Sequence, residues 1–187
     1  MTDPLPRRGE RIVLRRFAAP DLAELQSYRN DEEVARYQSW SAMSEAEARQ
    51  FLEEMAAAPV FVPGKWLQVA VAEAATDRLI GDIGICVRID DVRSAEIGFT
   101  LARASQGKGL ATEAVRETLG MLFEFADIDH VVGITDVRNV ASIQLLKRVG
   151  MTLRETVDGT FRGEPCREHV FEIRRDSERE VRVDGTI

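Results

Sequence analysis

The chain has 187 residues, 44% hydrophobic and 30% charged, which is ordinary for one globular domain with a sizeable core. Its net charge of −7 argues against a nucleic-acid partner, because binding phosphates needs a concentrated basic face. No run approaches the roughly 20 apolar residues of a membrane span, and the N-terminus lacks an apolar secretory segment, so we expect a cytoplasmic protein without a membrane partner. Cys86 and Cys166 lie far apart without metal-ligand spacing, which predicts free thiols and no metal site.

The N-terminal half begins with an irregular lead-in and one strand. Residues Arg11 to Phe17 alternate between two faces, the period of a half-buried strand. Three helices are predicted next, each from a capping residue followed by apolar residues at helical spacing. They begin at Asp21, Asn30-Asp31 and Ser44, and they end near Tyr28, Tyr37 and Ala57.

The middle of the chain is predicted to be an antiparallel meander. Its first two strands are Trp66 to Glu73 and Leu79 to Val87, joined by a short polar turn. The third runs from Glu96 to Leu101, where polar residues and glycine alternate with Ile, Phe and Leu. This strand leads directly into a glycine-containing loop.

That loop, Gln106 to Ala111, precedes a helix whose apolar residues fall at steps of three and four from Thr112. Two glycines and an alanine let an anion approach the backbone, and a helix start leaves N–H donors unpaired, so the sequence predicts a phosphate site. It is not a dinucleotide loop, because Thr112 stands where the third glycine belongs. Nor is it a nucleotide-triphosphate loop, because Gly109 replaces the Ser or Thr after Gly-Lys.

The C-terminal part is predicted to complete the same domain. His130 to Thr135 reads as a strand, and Asn139 caps a helix that ends at Gly150. Two further strands, Met151 to Val157 and Cys166 to Ile173, form a closing hairpin with turn residues at Asp158-Gly159 and at 162–165. We therefore expect one domain over residues 1–175, followed by a charged tail, 176–187, with too little apolar surface to fold alone.

Beyond these local patterns, the chain resembles a known family. The hexapeptide Gln106-x-x-Gly109-x-Ala111 is similar to the Gln/Arg-x-x-Gly-x-Gly/Ala signature of the GNAT family of N-acetyltransferases. EIGFTL before the loop, ATEAV after it and NVASIQLLKRVGM further on resemble the RimJ/RimL branch, whose named members acetylate the N-termini of ribosomal proteins. Three motifs in the right order and spacing carry the resemblance over most of the chain.

The resemblance implies an α/β (α+β) fold of the GNAT type. Its sheet is single, mixed, bent and partly split, with six to seven strands and helices on both faces. Strands Ala95 to Leu101 and His130 to Thr135 would run parallel and then splay apart, so that the pantetheine arm of acetyl-CoA enters the gap like a strand. The residues implied in cofactor binding are Phe99, Thr100, Leu101, Gln106, Gly107, Lys108, Gly109, Leu110, Ala111, Thr112, Asn139 and Ser142.

The implied reaction is transfer of an acetyl group to a primary amine, either a protein N-terminus or a small molecule. Glu96, at the start of the split strand, is the candidate base, directly or through a water, with a solvated surface glutamate as the alternative. A main-chain N–H near Thr100 or Leu101 would stabilise the carbonyl oxygen. The tyrosine that protonates the leaving thiolate in many relatives is replaced by Leu146, which leaves the Ser142 hydroxyl as the candidate donor.

The acceptor pocket is predicted to come from the N-terminal half, with the aromatic residues Tyr37, Trp40 and Trp66 as its candidates and core packing as their alternative role. Three alternatives stay open for the function: another acyl group such as succinyl, an aminoglycoside or polyamine acceptor, or a CoA-binding sensor without catalysis. We expect a monomer or a homodimer.

Overall fold

The computed structural model describes residues 3–175, so the predicted charged tail of residues 176–187 lies outside the described residues. The α-helices in this range are α1 Leu22–Arg29, α2 Glu32–Ala35, α3 Glu45–Ala57, α4 Leu110–Phe125 and α5 Val140–Arg148. The strands are β1 Arg7–Arg8, β2 Ile12–Arg15, β3 Trp66–Glu73, β4 Leu79–Val87, β5 Ser94–Leu101, β6 His130–Asp136, β7 Thr152–Phe161 and β8 Glu164–Arg174. None of these helices combines the length and apolar character needed to cross a bilayer.

The eight strands within residues 3–175 form one mixed sheet in the order β1-β2-β3-β4-β5-β6-β8-β7. All neighbours pair antiparallel except β5 and β6, which are parallel. The mixed sheet is confirmed, with one strand more than the predicted six to seven. The additional strand is β1, whose two residues are too few to show an alternating pattern.

Helices cover both faces of the sheet, as predicted. Helices α4 and α5 pack on one face, which we call the cofactor face, through Leu119, Leu122 and Leu146. Helices α1 and α3 pack on the other face through residues such as Leu25 and Leu52. Burial of these apolar stripes provides the main favourable contribution to folding.

Most of the predicted helix caps are present. Asp31 accepts a hydrogen bond from the Glu33 N–H, and Ser44 forms a reciprocal capping box with Glu47. The cap predicted at Asp21 is wrong. Its carboxylate instead accepts from the Ala18 N–H and from the Arg15 guanidinium, because a turn of 3₁₀ helix precedes α1.

The turn of the closing hairpin lies later than one of the two predicted positions. Asp158 and Gly159 are inside β7, where they pair with Arg167 and Cys166 of β8. The chain reverses at Arg162-Gly163, and both residues have positive φ, 52° and 82°. A two-residue turn of this kind suits the twist of a hairpin, so both strands extend further than the sequence indicates.

The sheet splits in its middle. Pairing between β5 and β6 starts at Ser94 and His130 and stops at Ile97 and Gly133, although β5 continues to Leu101 and β6 to Asp136. The two strands therefore leave a gap over their C-terminal residues. This confirms the predicted splay.

A buried ionic network ties α1 to the middle of the sheet. The Asp82 carboxylate on β4 accepts hydrogen bonds from the Tyr28 hydroxyl and from the Arg29 guanidinium. The side chains of Arg29 and Asp82 are only 5% and 4% exposed. The same guanidinium lies over the Trp40 ring, 4.5 Å from its centroid, so the network also holds the loop that follows α2.

We expect Asp82→Ala to lower the free energy of unfolding by about 3 to 5 kcal/mol, because it leaves the Arg29 cation buried without its counter-ion. Urea unfolding followed by circular dichroism measures the change. Asp90→Ala is the control, since it removes an exposed carboxylate that pairs with Arg88 at the surface and should leave stability close to wild type. Equal stability of Asp82→Ala and Asp90→Ala would contradict the network's role.

Candidate active site

The loop before α4 has the geometry of an anion site. Gly107 and Gly109 have φ of 72° and 79°, and Gly109 is the residue before the first turn of the helix. Within residues 3–175, the N–H groups of residues 107–112 have no hydrogen-bond acceptor. A Cβ on Gly107 would meet no atom within 4 Å, so open space lies in front of this loop. Free donors at a helix start attract an anion.

Three arginines surround the loop, and the sequence analysis did not single them out. Arg11 donates to the Lys108 carbonyl and forms an ion pair with Glu113 on the first turn of α4. Arg148 donates to the Thr112 hydroxyl, and Arg116 donates to the Arg148 carbonyl. Each comes from a different part of the chain, so spacing in the sequence does not reveal them.

A cleft of about 930 Å³ runs from this loop along the gap in the sheet to α5. Of the residues predicted to bind the cofactor, only Lys108 does not line it. Lys108 is exposed and stays outside, as expected for a solvated loop lysine. The three arginines line the same cleft and so do Glu10, Glu113 and Glu117, of which Glu113 is paired with Arg11.

At its inner end the cleft joins a chamber of about 90 Å³. Both cavities share the lining residues Tyr37, Gln38, Phe99, Asn139 and Ser142. The chamber occupies the gap between β5 and β6 and extends to side chains on the far face of the sheet. We call that far face, opposite α4 and α5, the acceptor face. The split thus connects the two faces of the sheet.

The backbone of β5 presents alternate residues to the gap. The Arg88 N–H donates to the Ser94 carbonyl, and the Ala102 N–H donates to the Ile80 carbonyl. The backbone groups of the even-numbered residues of β5 therefore hydrogen-bond to β4. Phe99 and Leu101 therefore face the gap. The Thr100 N–H points towards β4, so it cannot be the donor predicted to stabilise the carbonyl oxygen of the thioester. The Leu101 N–H remains as the candidate donor.

Two glutamine side chains bond to the β5 carbonyls at the gap. The Gln106 Nε2 donates to the Leu101 carbonyl at 2.9 Å, and the Gln38 Nε2 lies 3.4 Å from the Phe99 carbonyl. Among residues 3–175, no acceptor is present for the N–H groups of Phe99 and Leu101 beyond the end of the β5–β6 ladder. The gap therefore has the free donors that a strand-like ligand would use.

Comparison with known proteins agrees with this geometry. The model of the acetyltransferase (GNAT) domain family matches residues 11–152. The chain belongs to the GNAT family of acetyltransferases. It is 28% identical over 138 residues to a protein of Bacillus licheniformis described as the uncharacterized N-acetyltransferase p20, with 73% of this chain and 76% of that protein covered.

Solved structures show the same GNAT fold. A GNAT-family acetyltransferase from Bacillus anthracis superposes with a TM-score of 0.79 at 20% identity, covering 90% of this chain and 98% of the other. RimL, a ribosomal L7/L12 alpha-N-protein acetyltransferase solved with coenzyme A, gives a TM-score of 0.78 at 16% identity, with 92% and 98% covered. The predicted family is confirmed, and a RimL protein is among its structural neighbours.

Within this GNAT domain, Glu96 lies on β5 between Cys86 of β4 and Val132 of β6. Its side chain is half-buried and points to the acceptor face, since Ile97 faces the core. Burial raises the pKa of its carboxyl above the ordinary value, the positive charge of Arg88 opposes this, and the negative charge of Glu168 adds to it. A glutamate of raised pKa suits proton transfer, but Glu96 lines neither the cleft nor the chamber, and its role as the base stays a prediction.

The start of α5 lies beside the chamber. The Asn139 side chain caps the helix by accepting from the Ser142 N–H at 3.2 Å, as predicted. Leu146 is buried, and its methyl group lies 2.8 Å from the position of a Cβ on Gly133. The tyrosine position of the relatives therefore holds a packing residue here, and Ser142 is the hydroxyl of this helix that lines both cavities.

The three aromatic residues predicted for the acceptor pocket have different positions. Tyr37 lines both cavities, with its hydroxyl 3.5 Å from the Arg138 carbonyl. Trp40 lines neither cavity, because its ring packs against the Arg29 guanidinium. Trp66 is 46% exposed at the start of β3, on the acceptor face but separated from Glu96 by β4. The structure brings only Tyr37 to the chamber.

The sequence analysis missed the residues that close the chamber. Gln38 belongs to the loop after α2, which lines one side of the chamber and which we call its roof. Phe161 and Glu168 of the closing hairpin line the opposite side, its far wall. Arg162 ties this hairpin to the roof, since its Nη2 donates to the carbonyls of Ala35, Gln38 and Trp40 at 3.1 to 3.2 Å. Residues so distant in sequence meet only in the folded chain.

We expect Asn139→Ala to lower the free energy of unfolding by about 1 kcal/mol, because the Ser142 N–H loses its capping acceptor. Asn139→Ser is the matched control, since serine also caps helices and should retain most of the stability. Urea unfolding of both variants tests the cap. A serine variant as unstable as the alanine variant would show that capping is not the reason for the loss.

Proposed function

We propose that this protein transfers an acetyl group from acetyl-CoA to a primary amine by direct attack in a ternary complex. The observation that carries the proposal is the alignment of the free N–H groups of residues 107–112 with the free N–H groups of Phe99 and Leu101 along one cleft. One set suits a diphosphate, and the other suits an amide-bearing arm. The acceptor is either a protein N-terminus or a small-molecule amine.

The residues of the cleft fit the two ends of the cofactor. At one end, the N–H groups of the glycine loop and the side chains of Arg11, Arg116 and Arg148 provide donors and positive charge for the diphosphate. At the other end, Phe99 and Leu101 bond the arm as a neighbouring strand would. Gln38 must then leave the Phe99 carbonyl, since the arm needs the same acceptor.

The acceptor reaches the thioester through the split from the acceptor face. The neutral amine nitrogen forms a bond to the carbonyl carbon while the carbon–sulfur bond breaks, giving an amide and free CoA thiol. Glu96 accepts the proton that the amine loses, directly or through a water. The Leu101 N–H, which points into the gap, can stabilise the carbonyl oxygen as negative charge develops.

The leaving thiolate needs a proton or a strong hydrogen-bond donor. Leu146 supplies none, which makes Ser142 the donor on α5. The Tyr37 hydroxyl lines the same chamber and is a second donor within reach of this space. A protein that binds CoA but releases no thiol would instead be a CoA sensor. The replacement of the usual tyrosine by Leu146 is the feature that favours this alternative.

The glycine loop can be tested with Gly107→Ala. The added methyl group projects into the open space in front of the loop, so we expect the Kd for CoA to rise about tenfold, equivalent to about 1.4 kcal/mol. Titration calorimetry with CoA measures the affinity. An unchanged Kd would remove this loop from the binding site.

The control for this experiment is Gly163→Ala. Gly163 has a similar φ of 82°, and a Cβ there also meets no atom within 4 Å, but it lies in the β7–β8 turn. Both variants should lose a similar amount of stability, about 1 to 2 kcal/mol, from the left-handed conformation. Only the variant in the loop should lose affinity for CoA.

The base can be tested with Glu96→Gln. We expect kcat/KM for the amine to fall about a hundredfold or more, with the Kd for CoA unchanged, because the amide cannot accept the proton. In the wild type, kcat/KM should fall as the pH drops through the raised pKa of Glu96, and this limb should be missing in the variant. Release of free thiol at different pH values gives both profiles.

Arg88→Gln provides a second test of the same group. The Arg88 charge lowers the pKa of Glu96, so its removal should raise that pKa and move the acidic limb to higher pH. Another group would be the base if the acidic limb of the kcat/KM profile did not move in Arg88→Gln and was still present in Glu96→Gln.

A further inference from the structure

Glu168, at the far wall of the chamber, has an unusual position for a carboxylate. It lies on β8, is half-buried, and lines the chamber together with Tyr37 and Phe161. Gly159 on the neighbouring strand leaves room for it, since a Cβ there would come within 2.9 Å of Glu168 Oε2. The local fold thus places this carboxylate over a glycine and beside the opening between the strands.

Glu168 has no counter-ion. Within residues 3–175 it takes part in no ion pair, and its carboxylate accepts no hydrogen bond from any donor in that range. Glu96 on the same face also has no ion pair among the described residues, whereas two other carboxylates nearby do have partners. Asp136 pairs with Arg138, and Glu172 pairs with His130 and lies near Arg154. A half-buried charge without a partner is unfavourable unless a ligand supplies the opposite charge.

The surroundings indicate which charge and shape would fit. The apolar groups that line the chamber with Glu168 include the rings of Tyr37 and Phe161 and the side chain of Ile134, which is 38% exposed. Such walls suit methylene groups, and aromatic faces also attract cations. Polar side chains such as Gln38, Thr135 and Asp136 line the rest of the chamber, and a carboxylate beside these apolar walls suits an ammonium group carried on an aliphatic chain.

The arginines of the cofactor cleft do not compensate this charge. Arg11, Arg116 and Arg148 line the cleft around the glycine loop and do not line the chamber. Arg162 is close in sequence, but its guanidinium is engaged by three carbonyl groups of the roof. The arginines therefore lie at the diphosphate end, where Glu10, Glu113 and Glu117 also line the cleft, and the unpaired carboxylate of Glu168 lies at the chamber.

We propose that Glu168 binds the acceptor, and that the preferred acceptor is an aliphatic amine carrying a second positive charge. This inference rests on the proposed acetyl transfer and names the substrate class for it. Glu96 takes the proton of the reacting amine, while Glu168 holds the second cation without taking part in bond formation. Its effect should therefore appear in the KM for the acceptor rather than in the affinity for acetyl-CoA.

The experiment uses three acceptors of equal chain length: 1,6-diaminohexane, hexylamine and 6-aminohexanoate. They carry a positive, a neutral and a negative group at the far end. We expect the wild type to prefer them in that order. In Glu168→Gln the KM for 1,6-diaminohexane should rise about tenfold and approach that of hexylamine, with kcat and the KM for acetyl-CoA nearly unchanged.

Glu53→Gln is the control variant, because it makes the same change in net charge at an exposed position of α3 and should keep the wild-type preference. Titration calorimetry of CoA, and of 1,6-diaminohexane into the CoA-saturated protein, accompanies the kinetics. If the wild type shows neither binding nor acetylation of the diamine, or if Glu168→Gln affects all three acceptors equally or none, the proposal for Glu168 is overturned. Absence of CoA binding would overturn the proposed acetyl transfer itself, so the two failures are distinguishable.

Discussion

The site depends on the point where hydrogen bonding between β5 and β6 stops. Beyond Ile97 and Gly133 the two strands no longer pair, and the groups of β5 that would have bonded to β6 face a gap. Backbone donors without hydrogen-bond partners destabilise a fold when they are buried. The gap is tolerated because it opens into a cleft where water or a ligand can reach these donors. The split converts an ordinary sheet into a passage that connects its two faces.

The two ends of the passage present different chemical groups. On the cofactor face, free N–H groups at the start of α4 and three arginines surround the glycine loop. On the acceptor face, Glu168 lines the chamber, and Glu96 lies on the same face outside the lining of both cavities. Free N–H groups at a helix start favour an anionic donor on one side, and an unpaired carboxylate favours a cationic acceptor on the other. This arrangement links the proposed cofactor with the proposed acceptor class.

The roof of the chamber is built from parts that have little structure of their own. The loop after α2 is held from below by the Trp40 ring on the buried Arg29, and from the hairpin side by Arg162. Arg162 donates hydrogen bonds to carbonyls of this loop, whereas Arg29 contacts it through the face of the Trp40 ring. The buried network of α1 and β4 therefore stabilises the fold and also fixes the position of Tyr37 and Gln38 above the gap.

The sequence by itself determined the features that depend on local period and on backbone chemistry. Alternation, apolar runs and turn residues predicted seven of the strands, and capping residues predicted the starts of three helices, because each of these depends on residues only a few positions apart. The glycines at 107 and 109 predict an anion site on the same local grounds. Only the tertiary structure decided which side chains surround the chamber. Trp40 is held by a buried arginine, Trp66 is separated from Glu96 by a strand, and Phe161, Arg162 and Glu168 reach the site through the sheet order β6-β8-β7. The contacts of Arg162 with Ala35, Gln38 and Trp40 join residues more than a hundred positions apart, and no local pattern in a single chain encodes them.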